Sequence, residues 1–257
     1  MTAHTQVEEP PEVPVALVTG GGSGIGAATA AALLAVGARV AIADLDPARV
    51  SATARSLDAA FPGRAHAVNA DITTAQGADT AIGQTIDAFG GLDLLHLNAG
   101  RPGLGPVTAD TDIAAAQDVI VTNVMAVIAP FVTALPQLAR SPRAAVTVTA
   151  SLAGLVGSPA DPLYAASKHA LVGLVRSLAP AQSGLRINAI CPSLVATPML
   201  GHDSDGIDQL PVLAAEEVAG LAVEQLLGDA DGQIVFLEAD RGRRVVAEPV
   251  LSALQHP

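Results

Sequence analysis

The stretch VALVTGGGSGIGAATAAALLAVG, residues 15–37, decides the fold of this chain. It opens with a short apolar run rich in valine, which is typical of a buried β-strand. A glycine-rich turn follows at once, and an alanine-rich segment of helix-forming residues comes directly after the turn. The stretch therefore predicts a strand that leads through a tight turn into an α-helix.

The rest of the chain repeats this alternation of short apolar runs and longer alanine-rich segments. Strand candidates occupy residues 15–19, 39–43, 66–68, 92–97, 144–150, 185–190 and 233–237. Helical windows lie near residues 24–36, 47–59, 75–89, 112–139, 161–180 and 215–227. Apolar strands that alternate with helices are typical of a parallel sheet covered on both faces. We therefore predict an α/β, doubly wound, parallel seven-stranded sheet. It forms a single domain over residues 14–257, after a disordered tail over 1–13.

Composition excludes several classes of protein. Of the 257 residues, 50% are hydrophobic and 15% are charged, which argues against intrinsic disorder. The 13 basic residues face 25 acidic ones, and the resulting net charge of −12 repels nucleic-acid phosphates. The single cysteine, Cys191, cannot form an internal disulfide, which favours a reducing compartment. The six histidines show no ligand spacing, so we predict no metal site.

One segment is long enough to span a membrane. Residues 119–139 carry no charge, but they include four polar residues and two prolines, so we interpret them as a buried helix. Residues 1–14, MTAHTQVEEPPEVP, contain three glutamates and no apolar run, unlike a signal or transit peptide. We therefore expect a soluble, cytoplasmic protein without a membrane partner.

The glycine-rich turn is also a candidate binding site. Its glycines allow close approach of the backbone, and the helix behind it offers free N–H groups and the positive end of its dipole. This order of strand, turn and helix fits the pyrophosphate of a dinucleotide, although a merely flexible turn would look similar. The candidate residues are Gly20, Ser23, Gly24, Ile25 and Gly26.

Asp44 ends the second strand candidate, 18 residues after Gly26. A carboxylate at this point can accept hydrogen bonds from both hydroxyls of the adenosine ribose, and it repels a 2′-phosphate. No Arg or Lys lies in the turn or directly after Asp44, so we predict NAD as the cofactor rather than NADP, with Leu45 as a further contact. Asp44 could instead cap the next helix, but Asp46 followed by Pro47 fits that role better.

The only tyrosine and the only lysine of the chain, Tyr164 and Lys168, are four residues apart. On a helix, this spacing places both side chains on one face. A tyrosine can exchange a proton with a hydroxyl or carbonyl oxygen, but its ordinary pKa of about 10 makes it a poor base at neutral pH. A nearby ammonium stabilises the phenolate and lowers that pKa. The pair is a candidate for proton transfer, although an exposed helix pair would share the spacing.

Together these residues resemble the short-chain dehydrogenase/reductase family in its single-domain form. The resemblance covers about residues 13–240 and rests on TGGGSGIG (19–26), NAG (98–100), Asn123, Ser151 and YAASK (164–168). It implies a Rossmann-type fold and an oxidoreductase that transfers hydride between nicotinamide and a secondary alcohol or ketone. The alternatives are an NADP-dependent ketone reductase and a non-catalytic dinucleotide-binding sensor or scaffold, which the fold alone would permit.

The resemblance also implies roles for single residues. Tyr164 would be the general acid/base, Lys168 would lower its pKa and bind the nicotinamide ribose, and Ser151 would bond the substrate oxygen. Asn123 would hold a water that links Lys168 to solvent. Asp71 would contact the adenine, or it could equally cap the helix that starts near residue 74. The remaining implied cofactor contacts are Ile25, Ile72, Asn98, Ala99, Gly100, Pro192, Val195 and Thr197.

Three features depart from the family pattern. Leu97 replaces the first asparagine of N-N-A-G, which leaves the chemistry untouched. Ser193 replaces the glycine after Pro192, which could change the loop at the nicotinamide. The last strand candidate is followed by EADRGRRVVAEPV rather than a glycine pair. Its three arginines could form a solvated surface or a subunit contact.

Two loops are predicted to form the part of the cleft that binds the substrate. Residues 197–213, TPMLGHDSDGIDQLPVL, would form a short mobile lid, and residues 101–105 would form the opposite wall. A mostly apolar cleft suits a neutral or hydrophobic alcohol or ketone. Arg101 could meet an anionic group of the substrate or lie on the surface. The apolar helical windows over 119–139 and 161–180 predict a homo-oligomer, either a homotetramer or a homodimer.

Overall fold

The computed structural model describes residues 13–200 and 210–247. The strands are β1 (Val15–Thr19), β2 (Arg39–Asp44), β3 (Ala65–Asn69), β4 (Leu94–Leu97), β5 (Ala145–Thr149), β6 (Arg186–Pro192), β7 (Ile234–Glu238) and β8 (Gly242–Val245). The α-helices are α1 (Gly24–Ala35), α2 (Pro47–Ala60), α3 (Ala75–Phe89), α4 (Ile113–Leu138), α5 (Pro162–Leu178) and α6 (Ala215–Leu227). Every predicted strand and helix is present. Apart from Val13, the predicted tail lies outside the described residues.

All eight strands form one sheet in the order β3-β2-β1-β4-β5-β6-β7-β8. Strand β1 pairs in parallel with β2 on one side and with β4 on the other. The order in which strands are added therefore reverses between β1 and β4. In doubly wound sheets, ligands bind beyond the carboxyl ends of the strands at such a reversal. The predicted fold class is confirmed, and the topology places the binding crevice beside β1 and β4.

The sheet has eight strands, so the predicted number of seven is wrong. Strand β8 runs antiparallel to β7 after a tight turn, where Asp240 and the first residue of β8, Gly242, have φ angles of 63° and 73°. All four residues of β8 are exposed. Because sequence patterns detect strands through their buried apolar residues, an exposed strand of this kind carries no such signal.

The arginines around β8 are exposed, but each contacts a partner in the same chain. Two form ion pairs and one stacks on an aromatic ring, and the partners are Glu238 for Arg241, Glu224 for Arg243 and the ring of Phe236 for Arg244. The arginine cluster of the sequence is therefore a paired surface that ties β8 to β7 and α6.

Helices cover both faces of the sheet. Helices α3, α4 and α5 pack on one face, and α1, α2 and α6 pack on the other. Neighbouring residues of β1 show the alternation, because Leu17 belongs to the first core and Val18 to the second, and both are fully buried. Burying a side chain of this size stabilises the fold by roughly 2 kcal/mol, so the two cores fix the strand ends that carry the crevice.

Side-chain caps fix where several helices begin. Asp46 caps α2, since its Oδ1 accepts hydrogen bonds from the backbone N–H groups of Ala48 and Arg49. Thr74 caps α3, with its Oγ1 accepting from the N–H of Gly77 at 3.0 Å. The prediction that Asp46 rather than Asp44 caps α2 is confirmed. The alternative in which Asp71 caps α3 is wrong, because Thr74 takes that place.

Helix α4 contains the uncharged segment. Among the described residues, it is the one helix that is long and apolar enough to cross a membrane by length and composition. Of its most apolar window, 39% is buried inside the protein, where α4 packs against α3 and α5. Buried helices that cover a sheet share this length and composition, and α4 occupies that position here.

Candidate active site

A cavity of about 790 Å³ opens at the carboxyl-terminal edge of the sheet. The segments that follow strands β1 to β6 line it, so it lies across the reversal between β1 and β4. Most of the predicted site residues line this cavity: Gly20, Ser23, Gly24, Ile25, Asp44, Leu45, Asp71, Ile72, Asn98, Ala99, Gly100, Ser151, Tyr164, Lys168, Pro192, Val195 and Thr197. Two predicted residues, Gly26 and Asn123, lie behind its walls.

The glycine-rich turn between β1 and α1 forms one end of the cavity. Gly20 has a φ of +63°, and a Cβ at this position would come within 2.9 Å of the Cα of Ala99. Gly26 lies behind the turn, where a Cβ would overlap the carbonyl oxygen of Gly20. Ser23 precedes α1, but its side chain makes no capping hydrogen bond. The first N–H groups of α1 are thus without a side-chain cap and suit an anionic ligand group.

The Asp44 carboxylate stands at the end of β2, beside the turn. Its Oδ2 accepts a hydrogen bond from the N–H of Gly22 at 2.9 Å, and its Oδ1 accepts from the N–H of Asp46 at 3.0 Å. Each oxygen of a carboxylate can accept more than one hydrogen bond, so both can still meet a ligand hydroxyl. The two backbone contacts hold the carboxylate in place at the cavity wall.

Asp71 lies on the same side of the cavity, after β3. Its Oδ1 accepts hydrogen bonds from the N–H of Thr73 at 3.1 Å and from the Thr73 hydroxyl at 2.6 Å. Gly77 packs behind this turn, because a Cβ there would overlap the carbonyl oxygen of Asp71. The contacts shape the wall at Asp71 and Ile72.

The hydroxyl of Thr19 joins the ends of β1 and β4. It donates a hydrogen bond to the carbonyl oxygen of His96 at 3.3 Å and accepts bonds from the N–H groups of Asn98 at 2.9 Å and Ala99 at 3.2 Å. The Asn98 amide in turn donates to the carbonyl oxygen of Thr19 at 3.2 Å. This network fixes the NAG segment, residues 98–100, across the reversal of the sheet.

Ser151, Tyr164 and Lys168 meet on one wall of the cavity. Helix α5 places Tyr164 and Lys168 one turn apart, with the Lys168 Nζ 5.5 Å from the centre of the tyrosine ring. The Nζ also donates a hydrogen bond to the carbonyl oxygen of Thr149 at 3.1 Å. The Ser151 side chain, just beyond the end of β5, lies close enough to the Tyr164 side chain to influence its pKa. The structure therefore brings together the three residues that the sequence pattern singled out.

Burial governs the acid–base behaviour of this wall. It raises the pKa of the Tyr164 phenol, the hydrogen bond with Ser151 acts in the opposite direction, and the charge of Asp161 raises the pKa further. Burial lowers the pKa of Lys168 to about 8, and the neighbouring Cys191 acts in the opposite direction. Burial also raises the pKa of the Cys191 thiol to about 11, and this side chain is fully buried. The pKa of Tyr164 is thus raised, contrary to the expectation that Lys168 lowers it, because burial is the largest influence on the phenol.

Asn123 lies on α4 and is fully buried behind the NAG segment. Its Oδ1 accepts a hydrogen bond from the N–H of Arg101 at 2.8 Å, and its Nδ2 donates to the carbonyl oxygen of Arg101 at 3.2 Å. The same Nδ2 donates to the Ser167 hydroxyl at 2.9 Å. Both amide protons are thus used within the protein, and the side chain ties the loop after β4 to α4 and α5.

The segment after β6 forms the far wall. Ser193 donates its N–H to the carbonyl oxygen of Leu237 at 2.8 Å, so the residue that replaces the usual glycine fits the backbone here. Its Oγ is buried and has no hydrogen-bond partner among the described residues. Val195 forms a β-bridge with Leu213, and the Cγ2 of Thr197 lies against Gly24. Residues 201–209 of the predicted lid lie outside the described residues.

Sequence reasoning missed Asp161, which also lines the cavity, whereas Gly103 lies in the loop 101–105 that was predicted to form a wall. Asp161 caps α5, since its Oδ1 accepts a hydrogen bond from the N–H of Tyr164 at 3.2 Å. The sequence signal was present, because an aspartate followed by Pro162 is a typical helix start. No metal cluster accompanies these residues, since within residues 13–200 and 210–247 no three His, Cys, Asp or Glu side chains are grouped to hold an ion.

His96 lies beneath the active site and is fully buried. Its Nε2 is 2.9 Å from the Thr149 hydroxyl, while its Nδ1 has no partner among the described residues. Burial lowers the pKa of His96 to about 3. The imidazole is therefore neutral in the folded protein at any ordinary pH.

We expect His96 to make the protein less stable as the pH falls. In the unfolded chain it takes up a proton near pH 6.5, but in the folded protein only near pH 3. Between these values the unfolded state binds more protons, so each pH unit below 6.5 costs about 1.4 kcal/mol of unfolding free energy, or about 2 kcal/mol at pH 5. The free energy of unfolding in urea is measured for the wild type and for His96→Val between pH 7 and 5. It should depend less on pH in the variant.

The matched control is His169→Gln, on the exposed side of α5, which should keep the pH dependence of the wild type. Identical slopes for the wild type and His96→Val would contradict the assignment of a buried neutral imidazole.

Comparison with known proteins identifies the family. The family model described as short chain dehydrogenase matches residues 14–208, which span both the glycine-rich turn and the wall of Ser151, Tyr164 and Lys168. The chain belongs to the short chain dehydrogenase family. A 2,5-dichloro-2,5-cyclohexadiene-1,4-diol dehydrogenase of Sphingobium indicum is similar to this short chain dehydrogenase, at 37% identity over 74% of this chain and 75% of the relative.

Two further proteins cover more of this short chain dehydrogenase. A 2-(S)-hydroxypropyl-CoM dehydrogenase of Xanthobacter autotrophicus is 34% identical over 88% of the chain and 90% of the relative. The crystal structure of a 3-ketoacyl-(acyl-carrier-protein) reductase from Brucella melitensis, complexed with NADH, matches with a TM-score of 0.80. It is 26% identical and covers 89% of this chain and 98% of that one. The protein is an NAD(P)-dependent oxidoreductase that acts on alcohols or ketones.

Proposed function

We propose that this short chain dehydrogenase uses NAD to interconvert a secondary alcohol and its ketone, with Tyr164 as general acid/base. One observation carries the proposal. The hydroxyls of Ser151 and Tyr164 meet on a wall of the cavity, with the Lys168 ammonium beside the tyrosine ring. A protein that only binds a dinucleotide has no need for all three groups.

In this proposal the three side chains divide the chemistry of the substrate oxygen. Tyr164 removes the hydroxyl proton of the alcohol, or returns it to the ketone oxygen in the reverse direction. Ser151 hydrogen-bonds the same oxygen and stabilises the charge that develops there. Lys168 stabilises the phenolate of Tyr164. The cofactor, when bound, supplies the hydride acceptor or donor at the carbinol carbon. Asn123 positions the loop after β4 through its bonds to Arg101.

The residues present fit a nicotinamide dinucleotide. The turn at Gly20 and Gly26 has no room for side chains, and the start of α1 behind it is free of a side-chain cap. We propose that this turn holds the pyrophosphate and that Asp44 bonds the adenosine ribose, with Leu45 beside it. The further proposed contacts are Asp71 and Ile72 at the adenine, Asn98, Ala99 and Gly100 along the cleft, Lys168 at the nicotinamide ribose, and Pro192, Val195 and Thr197 at the carboxamide.

The test of the function is a screen for NADH formation. Purified protein is offered NAD, or NADP in parallel, with secondary alcohols, sterols and polyols, and absorbance at the reduced nicotinamide band is followed. We expect turnover with at least one alcohol class and a higher kcat/KM with NAD. Tight NAD binding without turnover of any alcohol or ketone would favour the non-catalytic reading.

Replacing Asp44 with Ala should weaken the preference for NAD. The variant loses both ribose hydrogen bonds and the repulsion of a 2′-phosphate, so we expect the ratio of kcat/KM for NAD over NADP to fall about tenfold or more. Asp58→Asn, an exposed acid of α2 that bonds the N–H of Gly63, is the matched control. An unchanged ratio in Asp44→Ala would remove the ribose assignment.

We also propose that the protein forms homo-oligomers. Helix α4 exposes Ile113, Val121 and Val132 to solvent in the single chain, and an exposed apolar row of this kind is typical of a subunit interface.

A further inference from the structure

The substrate end of the cavity is mostly apolar but holds two charged side chains. Beyond Tyr164 its walls are formed by Pro102, Leu194, Met199 and Leu200, together with Arg101, Gly103 and Asp161. Of these two, Arg101 is the one for which a substrate contact was expected from the sequence, and Asp161 has none assigned to it. The inference below rests on the proposed function, since it concerns which alcohol reaches Tyr164.

The Asp161 carboxylate is half-buried and only partly used. Its Oδ1 accepts the hydrogen bond from the N–H of Tyr164 that caps α5. No hydrogen bond to its Oδ2, and no cation within 4.0 Å of either oxygen, is formed within the described part of the chain. An unpaired charge in a partly buried site costs free energy unless a donor meets it. We therefore expect Oδ2 of Asp161 to accept a hydrogen bond from a molecule bound in the cavity.

Gly103 leaves room for this carboxylate at the cavity wall. A Cβ at residue 103 would overlap both carboxylate oxygens of Asp161, so the acid occupies the space of the missing side chain. The loop after β4 and the start of α5 meet at this point, on the two sides of the substrate end. The position of the carboxylate is thus built by two separate segments of the chain.

A cap alone does not explain the charge. Serine and asparagine cap helices as well as aspartate does, and neither would place a negative charge close to Tyr164. The charge of Asp161 raises the pKa of the phenol, which opposes the ionisation that general base catalysis needs. A neutral cap would avoid this cost, so the carboxylate is best explained by a ligand group that it recognises.

The positive charge of Arg101 limits which kind of ligand group Asp161 can recognise. Arg101 lines the same end of the cavity, and its one ion pair within the described residues is a distant one, with the Oδ2 of Asp118 3.8 Å away at the exposed rim. The guanidinium disfavours a second cation in this space, and the remaining walls are apolar. These surroundings suit a neutral molecule that carries one additional hydrogen-bond donor.

We propose that Asp161 accepts a hydrogen bond from a second hydroxyl group of the substrate, so that this enzyme prefers diols, and the hydroxyketones derived from them, over mono-alcohols. Tyr164 and Ser151 bind the hydroxyl that reacts, and Asp161 binds the one that does not.

The experiment compares matched substrates in the full-length protein with saturating NAD. The substrates are cis-cyclohexane-1,2-diol, cyclohexane-1,3-diol and cyclohexanol, and the measured quantity is the ratio of kcat/KM for a diol over that for the mono-alcohol. A hydrogen bond to a charged acceptor predicts a ratio of about tenfold or more for at least one diol. In Asp161→Ser, which keeps a capping hydroxyl but shortens the side chain, this ratio should fall to about one.

The ratio separates recognition from the electrostatic effect on Tyr164. Removing the negative charge changes the ionisation of the phenol equally for both substrates, so this effect cancels in the ratio. The matched control is Asp112→Ser, which replaces the capping aspartate of α4 outside the cavity and should keep the ratio of the wild type. NAD affinity, measured by titration calorimetry, should be equal in the wild type and Asp161→Ser, which shows that the site is intact.

The possible failures are distinguishable. If the wild type oxidises no alcohol at all, the proposed function itself is contradicted. If the wild type oxidises cyclohexanol with the same kcat/KM as both diols, the role of Asp161 is overturned while the proposed function stands. The same follows if Asp161→Ser keeps a preference for diols. A preference of the wild type for 2-aminocyclohexanol over the diols, lost in Asp161→Ser, would also overturn it, because the recognised group would then be a cation.

Discussion

Replacing Tyr164 with Phe should reduce kcat by about 10²–10⁴-fold while NAD binding persists. The substitution removes only the phenolic oxygen, so the ring still packs against the Lys168 ammonium, 5.5 Å from its centre. The proton of the substrate hydroxyl then has no acceptor at the wall. Steady-state NADH formation gives kcat, and titration of the protein with NAD gives the affinity.

The control for this variant is Ser177→Ala, on the exposed side of the same helix, where the hydroxyl donates a hydrogen bond to the carbonyl oxygen of Gly173. It should keep both kcat and NAD affinity. Turnover by Tyr164→Phe at the wild-type rate would rule out the proposed mechanism. A loss of NAD affinity together with kcat would instead place the tyrosine mainly in cofactor binding.

The second large effect is expected for Gly26→Ala. A Cβ there would overlap the carbonyl oxygen of Gly20, which is backbone and cannot rotate away. Overpacking of this kind costs about 1–3 kcal/mol of stability. Because the displaced carbonyl belongs to the glycine-rich turn, NAD affinity should fall by roughly tenfold or more, which corresponds to about 1.4 kcal/mol. Thermal unfolding and NAD titration measure the two effects separately.

Gly83→Ala is the matched control, because Gly83 lies inside α3 and a Cβ there would meet nothing within 4 Å. Alanine is the better helix former by up to about 1 kcal/mol, so this variant should be slightly more stable and bind NAD normally. Equal NAD affinity in Gly26→Ala and the wild type would show that the turn tolerates a shift of Gly20, against the proposed pyrophosphate site.

Most of the fold could be predicted from the sequence because its central strands are buried on both faces. In β1 and β5 every residue is buried, so each strand stands out as a short run of mostly apolar, valine-rich residues. The site followed from local patterns, since the glycine turn lies within one strand–turn–helix unit and Tyr164 and Lys168 share one helix. Features that depend on a single stretch of chain were therefore predictable.

Features that join distant segments were not. The partners of the Asn123 amide are Arg101 and Ser167, 22 and 44 residues away, and no spacing rule links them. The closeness of Gly103 to Asp161 arises only when the loop after β4 meets the start of α5. The neutral state of His96 depends on burial from several sides. Strand β8 was missed for the opposite reason, because its residues remain in solvent.

Strand β8 also has a consequence for the behaviour of the protein in concentrated solution. A strand at the edge of a sheet offers unpaired backbone groups that can template the addition of strands from other molecules, and such growth leads to aggregates. Here the last strand is only four residues long, antiparallel and rich in arginine. A second molecule that approached this edge would find only a few backbone groups to pair with, beside arginine side chains that are already engaged with Glu224 and Phe236. The strand thus protects the long apolar sheet behind it from growing into a fibre.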